Sequence, residues 1–413
     1  MSSTAPPVVS RRRVFYIPGY DPFPPRRYRE LYRKECQTQA AISGYDIALE
    51  TGEAGDYFGW RVGSRIDGHV TLSDIEVLVW SDIVRASRAP GVALTYLALL
   101  RTAWIYLRCG ALFRLMRLRK GPVIAALYPV GVLLLQAVFA AALCWAFVQV
   151  MMRMGKALGL TEMVVFSGAI VMATLLFGLV LRWFKDMDGK IFAYYLMHDF
   201  AFSAKDNGAY PDALEQRLMQ FRARVSAAMQ GDVDEVLVVG HSSGAHLAIS
   251  MLADLLRDED VAGDGPKLSL LSLGHVVPMI SFLPKAQRLR ADLARLRSAR
   301  SLTWVDVTAP GDGCCFALCD PVAVSGQDGT PRFGPLVFSA AFTQSLSRER
   351  WRALRWRFFR LHFQYLCAFD QPKDYDYFQI TAGPVALADR YRGRASSKSI
   401  RTHPQSRFKT VTL

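Results

Sequence analysis

This 413-residue sequence has little to offer disulfide chemistry. It holds 7 cysteines, an odd number without regular spacing; no Cys-x-x-Cys occurs, and Cys314 and Cys315 are adjacent. That pattern argues against a disulfide framework and fits reduced thiols in a cytoplasmic setting. Acidic residues are in the minority, 36 against 50 Lys and Arg, giving a formal charge of +14 and a pI near 9.6. A basic balance of this size calls for an anionic partner. No zinc-finger or RNP-type motif is present, so nucleic acid is set aside and the surplus is assigned to a membrane surface. Arg11-Arg12-Arg13 is not followed by an apolar stretch, so the first residues read neither as a secretory signal nor as a twin-arginine signal. No His/Cys/Asp grouping has metal-ligand spacing, and no metal or other cofactor is expected. No internal repeat is seen.

What the chain does have is apolar length. Hydrophobic residues make up 51%, and the mean hydropathy is +0.15. Residues 123–152 contain no charged side chain, and residues 163–181 form a second uncharged run that ends in Arg182-Trp183-Phe184-Lys185. Each is long enough to cross a bilayer. The short link 153–162 makes them a helical hairpin, with spans at about 123–152 and 163–184. Val92–Leu107 is also apolar but is interrupted by Arg101, which reads as an interfacial or amphipathic helix. Arg108, Arg114, Arg117, Arg119 and Lys120 precede the hairpin, and Arg182, Lys185 and Lys190 follow it; the link carries only Arg153 and Lys156. The positive-inside rule then puts both flanks in the cytoplasm. The expected localisation is a bacterial inner membrane, with the parts of the chain on either side of the hairpin, and both termini, cytoplasmic.

Outside the hairpin the pattern alternates. Arg13–Ile17 reads as a buried strand ending in Pro18-Gly19-Tyr20, and Arg26–Ser43 as a helix. Asp46–Leu72 reads as short strands with a hairpin turn at Asp67-Gly68, and Ile75–Trp80 as a further strand. Tyr210–Met229 is helix-like, with Pro211 and Asp212 at its start. Val236–Val239, Lys267–Leu273, Leu302–Val307 and Pro335–Phe338 are strands, and Leu289–Arg297 is a charged helix. Arg348–Leu366 reads as one basic, aromatic helix, with Trp351, Leu354, Phe358, Leu361 and Tyr365 on one face. The predicted fold class is α/β: a mainly parallel central sheet with helices on both faces, interrupted by a two-helix transmembrane insertion. The expected divisions are a disordered 1–12, a first part of the α/β domain 13–85, a membrane insertion 86–190, a second part of the α/β domain 191–388, and a basic disordered tail 389–413.

Gly240-His241-Ser242-Ser243-Gly244 joins the strand Val236–Val239 to the helix-like Ala245–Leu252. Strand, G-x-S-x-G, helix is the context of a nucleophile elbow, in which small residues let a serine stand on a strained turn. Ser242 is the candidate nucleophile. Ligands of parallel sheets sit beyond the carboxyl ends of the strands. Pro18-Gly19-Tyr20, Ser242, Asp312 and His275 all fall at such ends.

On Ile17-Pro18-Gly19-Tyr20, on Gly240–Gly244, and on the order Ser…Asp…His, the chain resembles the α/β-hydrolase superfamily over roughly residues 13–85 and 205–385. Within it the chain looks most like lipases and esterases. The resemblance implies a catalytic triad and an oxyanion hole formed by the backbone N–H groups of Ser243 and Tyr20. It also implies a histidine after the acid. Only His362 and His403 follow Asp312, and His403 lies in the tail, so His362 is the candidate base, with His275 the alternative. Asp312, in the turn Ala309–Gly313, is the candidate acid, with Asp320 and Asp306 as alternatives. His241 and His246 are too close to the elbow to serve as bases, and His198 and His69 have no supporting context. The implied activity is hydrolysis of a carboxylic ester or thioester, small or lipid-like, by a membrane-anchored enzyme in contact with membrane lipids. The competing expectation is a catalytically inactive hydrolase-fold scaffold or partner-binding protein. A transport subunit is disfavoured, since the spans hold no ionisable residue.

Overall fold

Every residue of the strand Glu235–His241 is buried. A run buried on both faces needs helices above and below it, and this strand is central. In the computed structural model, which describes residues 7–50, 58–88, 91–258, 265–327, 329 and 331–411, the chain divides into two units. The first comprises residues 1–86, 107–122 and 206–413, and the second 87–106 and 123–205.

The first unit holds an eight-stranded sheet. In chain order the strands are β1 (Arg11–Ile17), β2 (Asp46–Glu50), β3 (Gly59–Ile66), β4 (His69–Val77), β5 (Glu235–His241), β6 (Lys267–Leu273), β7 (Leu302–Thr308) and β8 (Leu336–Ser339). They lie in the order β2-β3-β4-β1-β5-β6-β7-β8. β3 runs antiparallel to β2 and β4, and every other neighbouring pair is parallel. The β3–β4 hairpin turns at Asp67 and Gly68, both at positive φ (52° and 79°), as a two-residue primed turn requires. The strands before and after the insertion share the sheet, β1 pairing with both β4 and β5.

One face of the sheet is covered by the helix Arg26–Ser43 and by the C-terminal segments. Tyr28, Tyr32 and Cys36 of that helix join Val14, Val239, Leu271, Val307, Leu361 and Tyr365 in one core. On the other face the helix Gly244–Asp258 packs against β5 and against the helices Asp212–Met229 and Gln287–Arg297. Beneath the β1–β5 pair lies a fully buried ion pair, Arg12 Nε to Glu235 at 2.7 Å. The Arg12 guanidinium also donates to the Gly383 and Val385 carbonyls, and Glu235 accepts from Ser269. A buried pair survives only with its remaining polar atoms satisfied in this way.

The second unit contains the helices Lys120–Ala157 (from Val123 onward) and Glu162–Asp186, both long and apolar enough to cross a membrane. At 38 residues the first is about 57 Å long, more than a bilayer core of about 30 Å needs. The link between them is tight, since a β-carbon on Gly155 would stand 2.6 Å from Val165. The Cys144 thiol donates across the pair to the Ala173 carbonyl (3.1 Å). Leu99, Leu133, Tyr194 and Met197 form a small core of this unit.

Several boundaries differ from the sequence reading. Residues 107–122 belong with the sheet, and 191–205, including the helix Ala193–Ala204, belong with the apolar hairpin. Of the expected disordered N-terminus, residues 1–6 lie outside the described residues. Residues 7–12 are built in: Val9 is buried and donates its N–H to the Pro384 carbonyl, and β1 starts at Arg11. The basic tail is also ordered through residue 411. It runs along the sheet unit, donating from Ser397 to Val337, from Arg401 to Leu318 and from Gln405 to Val324. Its order comes from backbone N–H groups meeting carbonyls of the sheet unit. β4 begins at His69 and stops at Val77, short of Trp80, whose indole N–H instead donates to the Pro18 carbonyl at 2.9 Å. The single helix expected over 348–366 is three pieces, Arg348–Leu354, Phe358–His362 and the 3-10 turn Phe363–Leu366. The break lets Leu354 and Leu361 both reach the core while Trp356 and Phe358 stay exposed.

Candidate active site

β5 delivers Ser242 to a tight turn. Its φ is 57°, in the left-handed region that a side chain rarely adopts, and the helix Gly244–Asp258 begins two residues later. The turn is held by the Ser242 N–H donating to the Leu273 carbonyl of β6 at 2.9 Å. The flanking glycines are sterically required. A β-carbon on Gly240 would lie 2.7 Å from the Ala245 α-carbon, and one on Gly244 would lie 2.1 Å from the Ile17 carbonyl oxygen. Ser243, just after the nucleophile candidate, stands ahead of the first helical turn, where N–H groups have no intrahelical acceptor.

The loop after β1 presses on this turn. A β-carbon on Gly19 would sit 3.0 Å from the Ser242 β-carbon and 3.5 Å from its hydroxyl oxygen. Trp80 pins the loop through the Pro18 carbonyl and packs edge-on against Tyr20, which is itself buried. The backbone at Gly19, next to Tyr20, is thus held close against the Ser242 side chain.

Asp312 and His362 meet although 50 residues separate them, with His362 Nδ1 2.7 Å from Asp312 Oδ2. Both are buried, at 2% and 7% exposure. Asp312 lies in the turn after β7, and His362 ends the short helix Phe358–His362. The carboxylate has further donors: the Cys314 N–H on Oδ1 (2.9 Å) and the Tyr365 hydroxyl on Oδ2 (3.1 Å). Burial pushes the Asp312 carboxyl up; the His362 imidazole, its hydrogen bond and the Cys314 N–H more than offset this and leave it below the usual aspartate value. An ionised Asp312 can only accept, so His362 holds a proton on Nδ1, and Nε2 is the ring nitrogen left free of the acid.

Two observations bring this pair to the elbow. His241, beside Ser242, points its Nε2 at the His362 backbone carbonyl (3.0 Å), and the two rings lie 4.9 Å apart at 33°. The carbonyl can only accept, so His241 carries its proton on Nε2. In addition, a β-carbon on Gly274 would lie 3.1 Å from His362 Cε1, and Gly274 follows the Leu273 carbonyl that anchors Ser242. Among the described residues no hydrogen bond joins the Ser242 hydroxyl to His362. In unliganded enzymes such bonds are often long and tighten when substrate is present.

The alternatives take other places. Asp320 caps the helix Pro321–Val324 and pairs with Arg297 at 3.0 Å. Asp306 is fully buried and accepts from Ser272 at 2.5 Å; burial pushes its carboxyl well up. His275 Nε2 faces the Cys319 carbonyl (3.1 Å) and stands 3.7 Å from Asp306. His246 bonds Tyr210, His198 lies in the other unit, and His403 is exposed.

The sequence puts Tyr365 on an apolar helix face and His241 beside the elbow, but shows neither one's contact with the Asp312–His362 pair. Tyr365 lies three residues after His362, but nothing local says that both turn toward Asp312. The Cys314 N–H could have been found, because an aspartate commonly accepts from the backbone two residues on. Asp312, Cys314 and His362 also bring potential metal-ligand atoms within 4.8 Å of one another, a cluster their spacing does not reveal. Burial and the Asp312 charge keep the Cys314 thiol protonated, and Asp312 and His362 already bond each other, so this donor set fits the acid–base pair better than a resident metal. No family model, curated protein or solved structure matches the chain.

Proposed function

We propose that this chain is a membrane-anchored serine hydrolase of the α/β-hydrolase type, cleaving a carboxylic ester or thioester through an acyl-enzyme on Ser242. The observation that carries this reading is the buried Asp312–His362 pair beside a serine at positive φ on a strand-to-helix turn. Each part has a role. His362 Nε2 takes the Ser242 hydroxyl proton as the oxygen attacks the substrate carbonyl carbon. The N–H groups of Ser243 and Tyr20 receive the oxyanion, each such donor lowering the barrier by about 3–4 kcal/mol. His362 then returns the proton to the departing alcohol or thiol. A water, deprotonated by the same imidazole, releases the acid and restores Ser242. Asp312 stays ionised throughout and stabilises the imidazolium.

In this reading the two apolar helices anchor the enzyme in a bacterial inner membrane, with the sheet on the cytoplasmic side. A reporter active only in the periplasm, fused at Asn207, should give no signal; a strong signal reverses the orientation. The second reading, an inactive hydrolase-fold scaffold, is favoured by one observation, the missing Ser242–His362 hydrogen bond. A fluorophosphonate probe separates the two. Labelling of the wild type that is lost in Ser242→Ala supports catalysis, and an unlabelled wild type in both detergent and bilayer supports the scaffold.

A further inference from the structure

We propose that the segment Arg352–Arg360 docks on an anionic membrane surface and holds the mouth of the candidate active site against it. The segment reads Arg352-Ala353-Leu354-Arg355-Trp356-Arg357-Phe358-Phe359-Arg360 and runs straight into His362. Leu354 is buried and Phe359 half-buried; the other side chains of the segment are exposed. Trp356 is 72% exposed and Phe358 48%, while Arg352, Arg355, Arg357 and Arg360 are all exposed. No described carboxylate pairs with any of these four arginines. Arg355 stacks on Trp356, 5.4 Å from the ring centroid, and Trp356 meets Phe358 edge-on. Unpaired cations around exposed aromatic rings suit the zone where anionic headgroups meet acyl chains.

Its neighbours name the bilayer as the occupant. The Phe358 ring lies 3.6 Å from where a β-carbon on Gly313 would stand, and Gly313 adjoins Asp312. The other side of Gly313 is taken by the helix that carries the first apolar run: a β-carbon on Gly121, in its first turn, would lie 3.3 Å from the Gly313 carbonyl oxygen. The acid's loop is thus bordered by the start of a membrane-crossing helix and by the basic–aromatic segment. Chain entering a bilayer at residue 123 keeps this segment near the headgroups, and the arginines supply the charge complement. The corollary, which rests on the hydrolase reading, is that the substrate is an ester drawn from the adjoining leaflet.

The test uses the full chain in nanodiscs of phosphatidylcholine alone or mixed with phosphatidylglycerol. Amide exchange over 355–360 should be slower in the mixed discs, and the difference should vanish at high salt and in Arg355→Gln/Arg357→Gln. Equal exchange in both disc types overturns the dock, as does slowing by a single-stranded oligonucleotide but not by phosphatidylglycerol. With a bilayer-resident fluorogenic ester, the double variant and Trp356→Ser should each lose about ten-fold in turnover in mixed discs while keeping wild-type turnover of a short soluble ester. Equal losses on both esters overturn the docking role. If the wild type hydrolyses neither ester, the hydrolase reading and the corollary fail, and the exchange measurement alone decides the dock.

Discussion

Replacing Asp312 by Asn changes one atom and one charge at the most constrained point of the site. The carboxylate accepts three hydrogen bonds, from His362 and Tyr365 on Oδ2 and from Cys314 on Oδ1. An asparagine can keep only part of that set. With its oxygen toward His362, its NH2 faces the Cys314 N–H, donor against donor. With its NH2 toward His362, it offers a proton to Nδ1 and drives the imidazole proton to Nε2, the atom that must accept from Ser242. In both cases the imidazolium loses its counter-charge. In Ser-His-Asp enzymes this exchange lowers kcat by about 10⁴, or about 5.5 kcal/mol of barrier at about 1.4 kcal/mol per decade. The same loss is expected here, measured as the second-order rate of fluorophosphonate labelling and as ester turnover, with thermal unfolding followed alongside to show that the fold persists. Asp312→Asn within ten-fold of wild type would remove Asp312 from the triad and with it the mechanism above.

Gly244→Ala should abolish labelling and lower the melting temperature, because the new β-carbon meets the backbone oxygens of Ile17 and Pro18 at 2.1 and 2.6 Å, and neither can withdraw without parting β1 from the elbow. Gly265→Ala, with nothing within 4 Å, is the control that should change neither. Tyr365→Phe removes one donor from the acid but leaves the Asp312–His362 pair in place; kcat should fall about ten-fold with KM unchanged, a charge-assisted bond being worth about 1.5–3 kcal/mol. His241, His246 and His275 are held neutral by burial, their pKa values lowered from 6.5 to about 3, 3 and 4. The unfolded chain takes up protons at these positions below pH 6.5 and the folded chain does not. Stability is therefore full above 6.5 and lost as the pH falls toward these lower values. The melting temperature should drop across that window, and His246→Gln should make the drop shallower.

Local chemistry carried much of this protein into view from sequence alone. The strand–Gly-x-Ser-x-Gly–helix order, the hairpin turn at Asp67-Gly68 and the two uncharged runs are properties of neighbouring residues, and steric limits or burial act on each where it stands. The alternation of strands and helices likewise implied a mainly parallel sheet. What tertiary structure decided was partnership across distance. Nothing within Arg348–Leu366 says that its helix breaks so that His362 and Tyr365 both turn to a carboxylate 50 residues earlier. Nothing in Asp306 or Asp320 says that one is claimed by Ser272 and the other by Arg297 and a helix cap. The basic tail read as disorder because its composition is polar, yet its N–H groups meet carbonyls of the sheet unit. Periodicity and composition report which face of a segment avoids water. Which donor meets which acceptor is settled only when segments far apart in the chain exclude water from the same place.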